Sequence, residues 1–136
     1  MANENGILIF GELNNDYSIK PVAKELVSKA RSLKEKIWNQ RIMVCIIGPR
    51  INYNDIIYEL GRCGADDVVI VCDNRLTIYD NNYTPELFTQ IAKKFPPRII
   101  LIGATNNGKE VASYTATKLE TGLTADCTDF SSFPKR

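Results

Sequence analysis

Histidine is missing from the sequence altogether. Its absence closes off Ser–His and Cys–His nucleophile pairs and every metal site with an imidazole ligand. Cysteine is sparse: Cys45, Cys63, Cys72 and Cys127 form no C-x-x-C pair, so the close paired spacing of a zinc site or a compact disulfide framework is lacking. Cys45 and Cys72 instead fall inside apolar runs, where a thiol acts as a small buried hydrophobe, and the set is expected to be reduced structural thiols. Charge of one sign is also lacking. Seventeen Lys and Arg against sixteen Asp and Glu leave a net charge of +1, which excludes a strongly cationic nucleic-acid binder and an acidic tail protein. No apolar run approaches the ~20 residues that span a bilayer, and the polar start Met1-Ala2-Asn3-Glu4-Asn5-Gly6 is unlike a signal peptide. The expectation is a soluble, cytoplasmic protein with no membrane insertion and no nucleic-acid partner. What is there is 136 residues, 44% of them hydrophobic, enough for one domain over 1–136 with a real core.

Four short apolar runs punctuate the chain: Ile7-Leu8-Ile9-Phe10, Ile42 to Ile47, Val68 to Cys72, and Ile99 to Ile102. Each is rich in β-branched or aliphatic residues and followed by a turn signal, the pattern of parallel strands covered on both faces. Amphipathic stretches separate them. From about Ser18 to Ile37, Ile19, Val22, Ala23, Leu26, Val27, Ala30 and Leu33 form one apolar stripe, with Lys20, Lys24, Glu25, Lys29, Arg31 and Lys34 on the rest. Ser18 is the expected N-cap, with Pro21 in the first turn. A second helix spans Asn54 to about Cys63. A third opens at Thr84-Pro85-Glu86, with the threonine as hydroxyl cap, and stops before Pro96-Pro97. A fourth follows Asn107-Gly108 and ends at Gly122, and a fifth strand falls near Thr124 to Phe130. Alternation of strand and helix with right-handed crossovers predicts an open, doubly wound α/β three-layer sandwich with a mostly parallel sheet, order 3-2-1-4-5. That order sets the loops after the first and fourth strands side by side. Asp73 to Tyr83 is the longest polar connection and is expected to be a surface loop.

The loop after the fourth strand, Gly103-Ala104-Thr105-Asn106-Asn107-Gly108-Lys109-Glu110, runs straight into a helix. Small residues there let a backbone approach a phosphate, and a helix start offers free N–H groups. It is neither G-x-G-x-x-G nor a P-loop, because Glu110 stands where a P-loop carries Ser or Thr to hold magnesium. Gly103, Ala104, Thr105, Asn107 and Gly108 are the candidate cofactor-binding or subunit-contact residues; a plain tight turn accounts for them equally well. Glu12 and Asp16, after the first strand, are expected to be solvated loop acids, although paired carboxylates can also bind magnesium or move protons. Gly48-Pro49-Arg50 marks a turn whose arginine can meet phosphate. The basic positions of the first helix are broken by Glu25 and Glu35 and make a solvated face, with Trp38 packing at its end. No catalytic constellation emerges, and the expectation is a non-enzyme.

The order and spacing of Gly103-Ala104-Thr105, Gly108-Lys109-Glu110-Val111-Ala112 and Thr121-Gly122-Leu123-Thr124-Ala125-Asp126-Cys127-Thr128 resembles the N-terminal domain of electron transfer flavoprotein alpha subunits. Gly64-Ala65-Asp66-Asp67-Val68 is similar to the same family, with weaker likeness over Ile7 to Leu13 and at Glu25-Leu26. The resemblance covers essentially the whole chain and is strongest in its last third. It implies a Rossmann-like fold of the adenine-nucleotide-hydrolase type and a role as scaffold for a beta subunit and for an FAD domain missing from this chain, in a heterodimer that carries electrons from acyl-CoA-type or other flavin dehydrogenases to a redox partner. It also implies FAD in the intact complex, bound by a further domain outside this chain, with AMP or a second FAD in the beta subunit. The sequence stops at Phe133-Pro134-Lys135-Arg136, where the family continues, so the domain is expected to be incomplete at its C-terminal end and no flavin contact is carried over. Ser113-Tyr114-Thr115 replaces a more basic stretch usual in the family. The Thr121 to Thr128 segment is a helix stop and last strand, with subunit or cofactor contact implied by the resemblance. Two rivals stand beside this reading. One is a free-standing adenine-nucleotide-binding module using the loop after the fourth strand; the other is a nucleotide hydrolase, against which the missing histidine counts.

Overall fold

The computed structural model describes residues 6–36 and 41–119, with side chains up to residue 32 in the first of these segments. Strands β1 (Ile7–Phe10), β2 (Ile42–Gly48) and β4 (Ile99–Leu101) are continuous apolar runs, and every residue in them is buried. Burial on both faces is what helices packed above and below a parallel sheet provide. With β3 (Asp67–Cys72) they form a wholly parallel four-stranded sheet in the order β3-β2-β1-β4, a Rossmann-like α/β arrangement. Ile7 stands opposite Ile42 on one side and Ile99 on the other. The chain therefore leaves β1 toward β2 and β3, and returns on the opposite side to make β4. The crevice between the carboxyl ends of β1 and β4 is the topological switch point. The fifth strand expected at Thr124 to Phe130 lies outside the described residues, as do Trp38, Gly122 and Cys127.

β3 differs from the expectation of a strand covered on both faces. All six of its residues are only half-buried, at the end of the described sheet opposite the fully buried β4.

Helix α1 (Pro21–Lys36) begins three residues later than the sequence suggests. Ser18 caps no helix: its N–H and hydroxyl both donate to the Asp16 carboxylate, at 3.0 and 2.5 Å. Ile19 pairs instead with Leu13 in an antiparallel bridge. The intervening turn carries Tyr17 at a φ of 70°. Pro21 then opens the helix, where its missing N–H costs no hydrogen bond. Ala23, Leu26, Val27 and Ala30 are buried as the stripe requires; Ile37 lies outside the described residues. Helix α2 (Asn54–Cys63) buries Ile56 and Leu60 and turns Ile57 outward. Gly64 ends it at a φ of 123°, donating to the carbonyls of Leu60 and Gly61, a conformation that favours glycine.

Helix α3 (Thr84–Lys94) takes Thr84 as a buried helical residue. The threonine is not the cap: its hydroxyl accepts the Asp80 N–H at 2.9 Å and fastens the preceding turn instead. Helix α4 (Asn106–Lys118) starts earlier than expected, at Asn106, because Thr105 is its N-cap. The sheet separates two cores. On one face Ile7, Ile9, Val44, Ile46 and Leu101 pack with Leu26, Val27 and Leu60. On the other, Leu8, Phe10, Cys45, Ile47 and Ile100 meet Phe88, Ala92 and Val111. The alternation along each strand decides which core a residue enters. Phe10 and Phe88 meet edge to face with centroids 5.4 Å apart. The Asp73–Tyr83 connection is polar but not wholly superficial, since Leu76 is buried in the second core.

Candidate functional site: a polar crevice at the ends of β1 and β4

Two residues past β1, where the chain must leave the sheet, stands Glu12. It is only 4% exposed, although it is ionisable. A buried carboxylate requires partners, and it has several. The Lys20 ammonium lies 3.0 Å from Oε2, the Thr105 hydroxyl donates to Oε1 at 2.6 Å, and the Asn107 amide approaches Oε2 at 3.4 Å. The main chain repeats the tie, because the Lys20 N–H donates to the Glu12 carbonyl at 2.9 Å. Short, charge-assisted contacts of this kind are the strong class of hydrogen bond. Thr105 completes a relay: its hydroxyl donates to Glu12 and accepts the Gly108 N–H at 2.9 Å. One side chain thus caps α4 and binds the loop after β4 to the loop after β1.

The glycines of that loop have a steric cause. A Cβ on Gly108 would lie 2.0 Å from the Gly103 carbonyl oxygen, and one on Gly103 would lie 2.9 Å from a Val22 methyl. Both are closer than side chains tolerate. The strand-to-helix turn closes on itself and on α1 only because these positions carry no side chain.

A second carboxylate, Glu110 in the first turns of α4, accepts the Tyr79 hydroxyl at 2.6 Å. Burial, then that bond, then the negative charges of Glu110 and Glu12 push the Tyr79 phenol well above its ordinary range, so it stays a neutral donor. Beside this network opens a cleft of about 550 Å³, walled by Asn15, Tyr17, Lys20, Tyr79 and Asn107 together with apolar Leu13 and Leu76. In the two loops that contribute these walls, local pairs hold two further carboxylates. Arg75 donates twice to the Asp73 carboxylate and, with charge from Arg50 adding, holds its pKa down to about 2. The Ser18 hydroxyl and N–H hold Asp16 below the usual carboxylate range. Within β2, burial pushes the Cys45 thiol up to about 12; Cys45, Cys63 and Cys72 are free thiols.

Of the sequence candidates, Gly103, Ala104, Thr105, Asn107 and Gly108 lie in one turn, and Thr105 and Asn107 meet Glu12, while Ala104 faces solvent. Asp16 is exposed, as expected of a loop acid. Glu12 is not: the expectation of a solvated acid fails because the close approach of the two loops buries it. Lys20 is likewise removed from the solvated face of the first helix, since it precedes α1 and turns back to Glu12. Sequence reasoning missed this cluster, together with Tyr79 and Glu110. A signal existed: the strand order sets the two loops side by side, with a carboxylate in one and hydroxyl and amide donors in the other. Among the described residues no group of three or more Cys, Asp or Glu is placed to hold a metal ion, and no helix is long and apolar enough to cross a membrane. The crevice does not fit the pyrophosphate of an FAD, because Glu12 already engages the Thr105 hydroxyl at the N-cap of α4 and the Lys20 ammonium that precedes α1.

Fold and crevice together define a doubly wound α/β domain whose polar residues gather at the switch point between the first and fourth strands. Residues 7–135 match the electron transfer flavoprotein domain, and the chain belongs to that family. It is 37% identical over 132 residues to "Electron transfer flavoprotein subunit alpha" of Thermoanaerobacterium thermosaccharolyticum, which covers 94% of this chain and 38% of that protein. It is 33% identical over 123 residues to "Protein FixB" of Bradyrhizobium diazoefficiens, covering 90% of this chain and 33% of that protein. A third relative is "Acryloyl-CoA reductase electron transfer subunit beta" of Anaerotignum propionicum, 37% identical over 105 residues, 76% of this chain and 28% of the relative. The chain thus spans roughly a third of the length of these curated relatives.

Proposed function

We propose that these residues are the N-terminal α/β domain of an alpha-type subunit in an electron transfer flavoprotein, acting as scaffold in a carrier that takes electrons from a flavin dehydrogenase to a further redox partner. In this reading the FAD that moves the electrons is held by a domain outside the 136 residues, and the chain pairs with a beta subunit in a heterodimer. AMP or a second FAD would sit in that partner. The observation that carries the reading is the family match over residues 7–135, supported by relatives named as electron transfer subunits. The chemistry is consistent with it. The carboxylates of the crevice are engaged by structural donors, Glu12 by Thr105, Lys20 and Asn107 and Glu110 by Tyr79. A scaffold needs no catalytic group of its own, because redox chemistry belongs to the cofactor. Gly103, Ala104, Thr105, Asn107 and Gly108 then serve to hold the β1 and β4 loops as one rigid surface for subunit contact.

The test is co-expression with a beta-subunit candidate from the same cell, followed by an absorbance scan and mass spectrometry of released ligands. A stable heterodimer is the expected result, with any flavin or AMP travelling with the partner. Stoichiometric flavin on the chain by itself would overturn the scaffold reading. A nucleotide on the isolated chain, with no partner, would replace it by a free-standing adenine-nucleotide-binding module.

A further inference from the structure

The N-terminal end of α4 is where a doubly wound domain offers its backbone dipole and N–H groups to an anion. Here that place already holds one. The Glu12 side chain is only 4% exposed, yet it comes from the loop after β1 and reaches across to the start of the helix. It takes the Thr105 hydroxyl at 2.6 Å, the Lys20 ammonium at 3.0 Å and the Asn107 amide at 3.4 Å. These are a hydroxyl at the N-cap, an amide in the first turn and a lysine, the donor types that would hold a phosphate at a helix start. The cleft of about 550 Å³ opens beside them, lined by Lys20 and Asn107, so a ligand there would meet this group directly.

We infer that Glu12 is a resident anion that occupies the phosphate position of the crevice and sets its selectivity: phosphate-bearing ligands are refused, and loss of the carboxylate converts the same residues into an anion site. Two effects act together. The Thr105 hydroxyl has one proton, and it is donated to Glu12. A phosphate brought alongside would also lie near two carboxylates, Glu12 and Glu110, with Lys20 as the cation already paired to the first. The inference concerns the crevice alone and stands whether or not the chain pairs with a beta subunit.

The experiment uses the full 136-residue chain with inorganic phosphate and AMP as probes, against chloride at matched ionic strength. Amide resonances of residues 105–109 and the melting temperature are followed. In the wild type neither probe shifts the resonances, nor does it raise the melting temperature relative to chloride. Glu12→Ala melts lower in chloride and regains a substantial part of the loss in phosphate, with resonances 105–109 moving and affinity roughly tenfold above the wild type, the scale of one charge at a helix end. Adding Lys20→Ala to that variant abolishes the gain. If Glu12→Ala fails to fold, Glu12→Gln fills the same volume without the charge, leaves Lys20 unpaired, and gains a smaller phosphate response at Lys20 and Asn107. Binding of phosphate or AMP by the wild type at residues 105–109 would overturn the inference. So would folded variants that respond to phosphate no more than the wild type does.

Discussion

Two glycines show how differently the same residue type is constrained. A methyl at Gly108 would lie 2.0 Å from the Gly103 carbonyl oxygen, so Gly108→Ala must push α4 away from the strand that feeds it. At Gly61, in the last turn of α2, an added methyl would meet nothing within 4 Å. There an alanine only removes conformational freedom from the unfolded chain. Gly108→Ala is expected to cost about 3 kcal/mol or more, whereas Gly61→Ala should stabilise by about 0.5–1 kcal/mol. Urea midpoints for the two variants check both signs. Charge in the connection after β3 gives a second residue-level expectation. Arg75 hydrogen-bonds to the Asp73 carboxylate and lowers its pKa to about 2, so the folded state binds this proton less readily than the unfolded one. The contribution is complete above the ordinary carboxylate pKa and is lost as pH falls from about 4 toward 2. Carbon-detected titration of Asp73 should show the depressed value, and Arg75→Ala should return it toward the ordinary range. A wild-type Asp73 titrating near 4 would show that the pair is open in solution.

At the level of elements, most of the strands and helices could be read from the sequence because burial dictates them. Runs such as Ile7-Leu8-Ile9-Phe10 have no polar position to face water, so a parallel strand between helix layers is their natural place. The 3- and 4-residue spacing of Ala23, Leu26, Val27 and Ala30 likewise leaves one helical face to bury. Element starts were less legible. Ser18, Thr84 and Thr105 are equally good caps by residue type, yet only Thr105 caps a helix; the other two hydroxyls close turns with Asp16 and Asp80. Residue type alone does not distinguish these uses, because a hydroxyl serves any nearby N–H or carboxylate. The seam between α3 and α4 is also tertiary information. Thr89 donates to the Pro85 carbonyl at 2.8 Å and lies 3.0 Å from the Thr115 hydroxyl, both threonines being buried. Since Thr89 has one proton, Thr115 is the donor between them. Tyr114 donates to Glu86 along the same seam. Thr89→Val and Thr115→Val are each expected to cost about 1 kcal/mol, and the double variant less than their sum by about 0.5 kcal/mol or more. Simple additivity in the cycle would mean the two hydroxyls do not share a bond.

Across the whole molecule, the crevice illustrates what a linear pattern leaves out. Glu12 and Thr105 are 93 residues apart, and nothing around either one marks it as buried. Their meeting follows only from the strand order, which brings the loop after β4 beside the loop after β1. The same order sets a gradient of stability. β1 lies between β2 and β4, and its residues are buried on both faces. β3 borders the sheet, with all six residues half-buried, and the chain then enters the Asp73–Tyr83 connection, where Leu76 is the buried apolar anchor. Free energies of local opening scale with the apolar surface and hydrogen bonds that must be released together. Opening β3 with the following connection therefore requires less than opening β1, β2 and β4, which carry the two cores jointly. Native-state hydrogen exchange should resolve two groups of amides. Those bonded between β1, β2 and β4, such as Ile9 and Val44, should exchange only through global unfolding, with a steep dependence on denaturant. The hydrogen-bonded amides of β3 and of residues 73–83 should exchange at least about tenfold faster, with a shallow dependence, a difference of ~1.4 kcal/mol. Convergence of all these amides on one slope at low denaturant would mean that β3 is as firmly integrated as the centre of the sheet, and that its half-exposed position lowers no separate opening.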